Sequence, residues 1–189
     1  NDKNFVNKIK KLFYSNFIES TIKKISHKIK AIKINPTNYK NWVVIYDSSF
    51  NAFTALEFRI KLSECCYRSI PYFSVEQFNQ SKIDNCLVFY IGAKGQNILL
   101  QNNSLLLAIS NFNIPKAKNK KLIKIQSKET ISNTIESSIA LQLMAHHVAL
   151  NIDTISNKKN LYENKKIINY VYDQYDLVQL VNKSDNFIN

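Results

Sequence analysis

The residues with the clearest chemical potential are a carboxylate and an ammonium one helical turn apart, Glu64 and Lys61, in the run Ala55-Leu-Glu-Phe-Arg-Ile-Lys-Leu-Ser-Glu-Cys-Cys-Tyr67. A neighbouring ammonium keeps a carboxylate ionised, as a base that takes a proton must be. The same spacing is also that of an ordinary ion pair on a helix surface. His146 and His147 invite a metal, but adjacent positions on a helix point ~100° apart and do not converge on one ion as an i, i+4 pair does. They read as core or groove histidines. Cys65, Cys66 and Cys86 are odd in number, two are adjacent, and no C-x-x-C is present. That pattern suits buried reduced thiols rather than disulfides or a metal site. Glu136 and Asp153 have no partner at a spacing that suggests chemistry. These residues imply no metal and no cofactor.

Two stretches resemble one family. Ser138-Ile-Ala-Leu-Gln-Leu-Met-Ala-His-His-Val-Ala-Leu150, followed by Lys159-Asn160-Leu161, is similar to P-L-Q-L-L-A-Y-H-V-A-L and the P-R-N-L-A-K tail of the isomerase half of glucosamine-6-phosphate synthases. Ala55–Tyr67 is similar to that family's A-L-E-G-A-L-K-L-K-E-I-S-Y. The two matches stand in the family's order and at about its separation, and the resemblance runs from about Phe17 to about Ile168. The family carries two sugar isomerase (SIS) subdomains after an amidotransferase domain, and this chain resembles the second subdomain only. The resemblance implies a flavodoxin-like α/β fold, a mostly parallel sheet flanked by helices.

It also implies roles for individual residues. Glu64 matches the family's proton-transferring Glu, and Lys61 matches a Lys one turn earlier. Asn79, in Val75-Glu-Gln-Phe-Asn-Gln-Ser81, stands where the family has the His thought to open the sugar ring. Asn exchanges no proton near neutral pH, so that acid/base step is lost. Glu163 stands where the family's tail has a Lys, a charge reversal where an anionic substrate would sit, and Lys165 two residues on is a partial substitute. Asp47-Ser48-Ser49 replaces the G-R-G turn. Ser48 and Ser49 retain donors for a sugar phosphate, as do Lys159 and Asn160 in the tail, whereas Asp47 opposes an anion and the lost glycines prevent close backbone approach. Lys61 and Glu64 are then vestigial.

The elements that must position these residues follow from periodicity and punctuation. Residues 5–32 predict one amphipathic helix, ended by Asn35-Pro36. Trp42–Tyr46 predicts a buried parallel strand, Pro71–Phe73 a second strand and Cys86–Ile91 a third, with helices over Phe53–Cys66 and Val75–Asn79. Leu105–Ile109 and Leu122–Ile125 are apolar runs that suit strand or helix. Residues 137–151, apolar on nearly every side, predict a buried helix. Four or five parallel strands are expected. Three parts result: a basic arm, 1–16; the SIS-like domain, 17–166; and a carboxyl-terminal extension, 167–189, with an apolar stripe of Ile168, Tyr172, Tyr175 and Leu180.

The chain has 189 residues, is 45% hydrophobic, and carries a net charge of +12 with only two glycines and three prolines. It is long enough and apolar enough for a real core, which excludes wholesale disorder. Residues 1–40 hold ten lysines against Asp2 and Glu19. A second basic run spans 116–121. Lys8, Lys10, Lys11, Lys118, Lys120 and Lys121 are the expected contacts for an anionic partner, since each Lys near a phosphate releases a counterion. Lysine drift on solvated faces is the plainer reading of the same runs. No apolar stretch approaches the ~18 residues of a membrane helix, and the basic amino end lacks the apolar core of a signal peptide. The Asn-, Lys- and Ile-rich composition is that of an AT-rich genome. The expected location is a reducing intracellular compartment: a mitochondrion or other organelle, or the cytoplasm of an AT-rich organism.

Two functional expectations follow. One is a degenerate SIS domain kept as a structural or interaction subunit of a larger protein or ribonucleoprotein assembly such as a mitochondrial ribosome, with RNA among its partners. The other is the isomerase half of a split glutamine–fructose-6-phosphate aminotransferase, completed by a separate first SIS half and an amidotransferase.

Overall fold

Five short strands build the protein's central sheet, the inner three apolar along almost their whole length. The computed structural model describes residues 2–14, 16–92, 96–127 and 130–156. Lys128, Lys159, Asn160, Glu163, Lys165 and the apolar stripe within 168–181 lie outside these. Residues 1–151 form one compact unit, and 152–189 belong to a second.

Helices α1 (Asp2–Tyr14) and α2 (Phe17–Lys30) come first. The single helix expected over 5–32 is therefore broken, at Asn16, whose ψ of 23° leaves the helical range. Asn and Ser side chains compete for backbone partners, and Ser20 Oγ donates to Phe17 O at 3.0 Å in the turn after the break. Pro36–Asn38 forms a 3₁₀ turn capped by Asn35. Then follow β1 (Asn41–Tyr46), α3 (Ser49–Cys66), β2 (Tyr72–Ser74), α4 (Val75–Ser81), β3 (Cys86–Gly92), β4 (Leu105–Ser110), β5 (Lys120–Lys124) and α5 (Thr130–Ser156). All pairings are parallel, in the order β2-β1-β3-β4-β5. This is the flavodoxin-like order, with its topological switch point between β1 and β3.

Both sheet faces are covered, as a parallel sheet requires. One face presents Val43, Ile45, Val88, Tyr90, Leu106 and Ala108 to Val75 and Phe78 of α4 and to Ile98 of the β3–β4 connection. On the other, Phe58 of α3 meets Phe89 edge-on at 5.3 Å. Helix α5 lies beside α3, where Phe58, Leu141 and Gln142 line a shared gap. His147 Nε2 reaches Ile32 O at 2.9 Å, so it carries the proton and ties α5 to the connection before β1. Val43, Val44, Ile45 and Leu87 are wholly buried, each worth ~1.5–3 kcal/mol of apolar transfer.

Scarce glycine leaves a mark on the connections. Tyr67, Lys82, Asn85 and Asn103 adopt positive φ, the left-handed conformation that glycine usually supplies at helix ends and turns.

Candidate functional site

In an open parallel sheet, ligands bind where strand order reverses, beyond the carboxyl ends of the strands. Here that crevice lies between the ends of β1 and β3. Ser48 caps α3, its Oγ accepting from Asn51 N at 3.4 Å. The residue before it, Asp47, is held from two sides. Its Oδ1 accepts from Asn51 Nδ2 at 2.8 Å, and its Oδ2 accepts from the Tyr90 hydroxyl at 3.1 Å. Tyr90 is 1% exposed. Burial, and then the Asp47 carboxylate, push its phenol far above the ordinary value, so it stays a protonated donor. Gly92 makes this reach possible: a Cβ there would lie 2.0 Å from Tyr90 Oη and 2.1 Å from Cζ. The Tyr90 ring thus crosses over a bare glycine to bond the carboxylate. Tyr46 stacks on Tyr72 at 4.7 Å beside the crevice, and Tyr72 donates to Ala52 O at 2.7 Å. The crevice therefore contains an anion of the chain's own.

Asp47, Ser48 and Ser49 are where the turn places them, with Ser49 opening α3. Glu64 and Lys61 lie at the other end of that helix. From Ser49 to Glu64 is 15 residues, about 22 Å along the axis. Among the described residues the candidate base does not converge with Ser48 and Ser49. Lys61 Nζ bonds Glu64 Oε2 at 3.1 Å, with the Glu64 side chain 58% exposed; that bond raises the Lys61 ammonium above its ordinary value. Asn79 is occupied. Its Nδ2 donates to Asn97 O at 3.0 Å and its Oδ1 accepts from Leu99 N at 2.9 Å. One amide bonds both a carbonyl and an N–H of the segment at 97–99, which a histidine at that place would not do with one ring edge.

Glu163, Lys159 and Asn160 lie outside the described residues. Lys8 belongs to α1, and Lys10 and Lys11 on it are exposed. Lys118 is exposed, and Lys120 and Lys121 begin β5, an edge strand. Lysines on an edge also deter pairing with other chains.

Cys86 is buried, and burial pushes its thiol up to about 12. Cys65 and Cys66 are half-buried rather than buried, at the surface end of α3, and none of the three cysteines is joined in a disulfide. Burial, then His147, lowers His146 below its ordinary value. Among the described residues no three His, Cys, Asp or Glu side chains are grouped to hold a metal ion, and no helix is long and apolar enough to cross a membrane. Glu136 has a structural use: its Oε2 accepts from Gln126 N and Ser127 N, both at 2.9 Å, anchoring the entry to α5.

Sequence reasoning missed Tyr90, Asn51 and Gly92. The Asp47–Asn51 spacing of one helical turn and the Tyr90-x-Gly92 pair on one strand face were the available signals.

No protein-family model matches the sequence, and no curated protein matches it. Solved structures do. The C-terminal domain of glucosamine-fructose-6-phosphate aminotransferase from Francisella tularensis is similar with a TM-score of 0.59 at 14% identity, over 80% of this chain and 47% of that one. Tagatose-6-phosphate ketose/aldose isomerase from Escherichia coli is similar with a TM-score of 0.52 at 14% identity, over 74% and 44%. The chain spans about half the length of these structures. At such identity the likeness is one of fold: this is the α/β fold of a SIS domain.

Proposed function

We propose that the chain is a catalytically degenerate SIS-fold domain, serving as a structural and partner-binding subunit of a larger assembly. Its basic arm and basic edge strand suit an organellar ribonucleoprotein such as a mitochondrial ribosome. The observation that carries the reading is Asp47, a carboxylate bonded by Tyr90 and Asn51 in the crevice where a sugar phosphate would need a cationic or neutral cradle. A second anion there meets like charge at close range. Asn79 supports the same reading, because its amide is committed to the backbone at 97–99 and has no proton to exchange. The purified chain, tested on fructose-6-phosphate and glucosamine-6-phosphate, is expected to show no isomerisation, and the native protein to travel in a particle that high salt loosens. Turnover that vanishes in Glu64→Gln overturns this.

A second reading has its own support. Lys61–Glu64 remains an intact pair. That pair favours the isomerase half of a split glutamine–fructose-6-phosphate aminotransferase making glucosamine-6-phosphate. A separate first SIS half and an amidotransferase copurifying with the native protein would establish it.

A further inference from the structure

The opposite edge of the sheet carries a second cleft, separate from the crevice and independent of the role proposed for the domain. It opens at the amino ends of β1, β2 and β3, has a volume of about 330 Å³, and is lined by Lys40, Trp42, Arg68, Ser69, Pro71 and Ile83 among others. That volume is within the ~300–1,000 Å³ of small-ligand sites. Two cations and no acid stand among the described residues that line it. Pro71 and Ile83 supply an apolar wall.

Arg68 is held in place. Its guanidinium carbon lies 4.6 Å from the centroid of the Trp42 ring. Trp42 is 3% exposed and donates its Nε1–H to Tyr39 O at 3.3 Å, so the platform is rigid. The chain reaches this position through Tyr67, at φ 50° and ψ 43°, a conformation a bulky side chain adopts against its preference. Arg68 N then donates to Ser63 O at 3.3 Å. Stacking engages the face of the guanidinium and leaves its planar N–H fork free to meet paired oxygens.

We propose that this cleft binds a small phosphomonoester, with its phosphate between Arg68 and Lys40 and its organic body against Pro71 and Ile83. A dianionic phosphate can engage a guanidinium fork and a separate ammonium at once, with a third oxygen and a second negative charge that a carboxylate lacks. Its confined volume of about 330 Å³ favours a small molecule over the backbone of a nucleic acid, which needs a long basic track.

Trp42 is the chain's one tryptophan, so its emission reports the cleft directly. The full chain is titrated at constant ionic strength with phenyl phosphate and with inorganic phosphate, following Trp42 emission and, separately, the phosphorus NMR linewidth of phenyl phosphate. Saturable binding of both is expected, tighter for phenyl phosphate. Arg68→Gln should weaken it about tenfold or more, and Arg68→Lys by less, since charge survives but the fork does not. Ser69→Glu, a change at an exposed position, should abolish it without altering the far-ultraviolet circular dichroism. No saturable change in either readout, or binding indifferent to both Arg68→Gln and Ser69→Glu, overturns the proposal. So does a short single-stranded RNA that binds through Arg68 when phenyl phosphate does not bind.

Discussion

The two edges of the sheet have been treated in opposite ways. At the carboxyl edge, where this fold ordinarily receives a ligand, the chain supplies an anion, Asp47, and two donors, Tyr90 and Asn51, to hold it. At the amino edge it supplies two cations, Lys40 and Arg68, and no acid among the described residues lining the cleft they share. The fold determines where crevices form; the side chains determine whether a crevice still has chemistry to offer. One carboxylate and one tyrosine occupy this crevice, and the proposal that the domain is degenerate rests on them.

The sharpest way to break this comparison is Gly92→Ala. The added methyl would sit 2.0 Å from the Tyr90 hydroxyl oxygen, and the ring is too buried to turn aside without leaving Asp47. Overpacking costs ~1–3 kcal/mol, and loss of the Asp47 bond adds to it. A loss of about 3 kcal/mol in chemical denaturation is expected. A neutral Gly92→Ala would mean that the carboxyl edge is not occupied as described.

Asn79→Ala comes next. It removes both bonds to the turn at 97–99, leaving a backbone N–H and a backbone carbonyl without that partner, for about 1–2 kcal/mol. Asn79→His should cost a similar amount and confer no isomerase activity. A His variant that folds equally well and turns over fructose-6-phosphate would show that only one residue separates this edge from a working site.

Most of the architecture was legible in the residues. Trp42–Tyr46 and Cys86–Ile91 read as buried parallel strands because both faces of the sheet are covered and no alternation is needed. Leu105–Ile109 was ambiguous, since a fully buried strand and a buried helix segment have the same apolar content; only the pairing with β3 decides it. Helix α5 begins at Thr130, well before the expected 137: its first turns are polar, and Glu136 there accepts from Gln126 N and Ser127 N. The occupied crevice was half legible. Asp47 announced a poor phosphate site, but its partner Tyr90 is 43 residues away, and no local pattern joins them. Arg68 and Trp42 meet for the same reason, through tertiary structure alone.

Tyr90→Phe measures this occupancy by pH. At neutral pH it removes one donor to a carboxylate, about 1–2 kcal/mol. The folded Tyr90 keeps its proton well above the ordinary value of 10.0, burial being the first cause and Asp47 the second. Above about pH 10 the unfolded chain loses that proton and the folded chain does not, so the wild type loses stability as pH rises while the Phe variant has no such group. The wild-type advantage should shrink above pH 10 by about 1.4 kcal/mol per pH unit. An advantage that stays constant to about pH 11.5 would mean the phenol is ionised in place and Asp47 is not its acceptor.

The smallest effect concerns Lys61 and Glu64, the pair on which a catalytic reading depends. Their 3.1 Å bond is made at the surface, with side chains 30% and 58% exposed, so water screens it and two long side chains must be ordered to keep it. Pairs of this kind contribute roughly 0.2–0.5 kcal/mol and fade with salt. A double-mutant cycle of Lys61→Met and Glu64→Gln should give a coupling in that range, diminished at high salt. Glu64 also lies toward the amino edge, one turn before Arg68, so the cycle bears on the open cleft too. If the cleft depends on Arg68 and Lys40, Glu64→Gln should leave phenyl phosphate affinity within about twofold, shifted only by the removal of a nearby screened negative charge. A coupling above ~2 kcal/mol, or a loss of binding in Glu64→Gln, would make the pair part of a working site and would join the two regions that the fold now keeps apart.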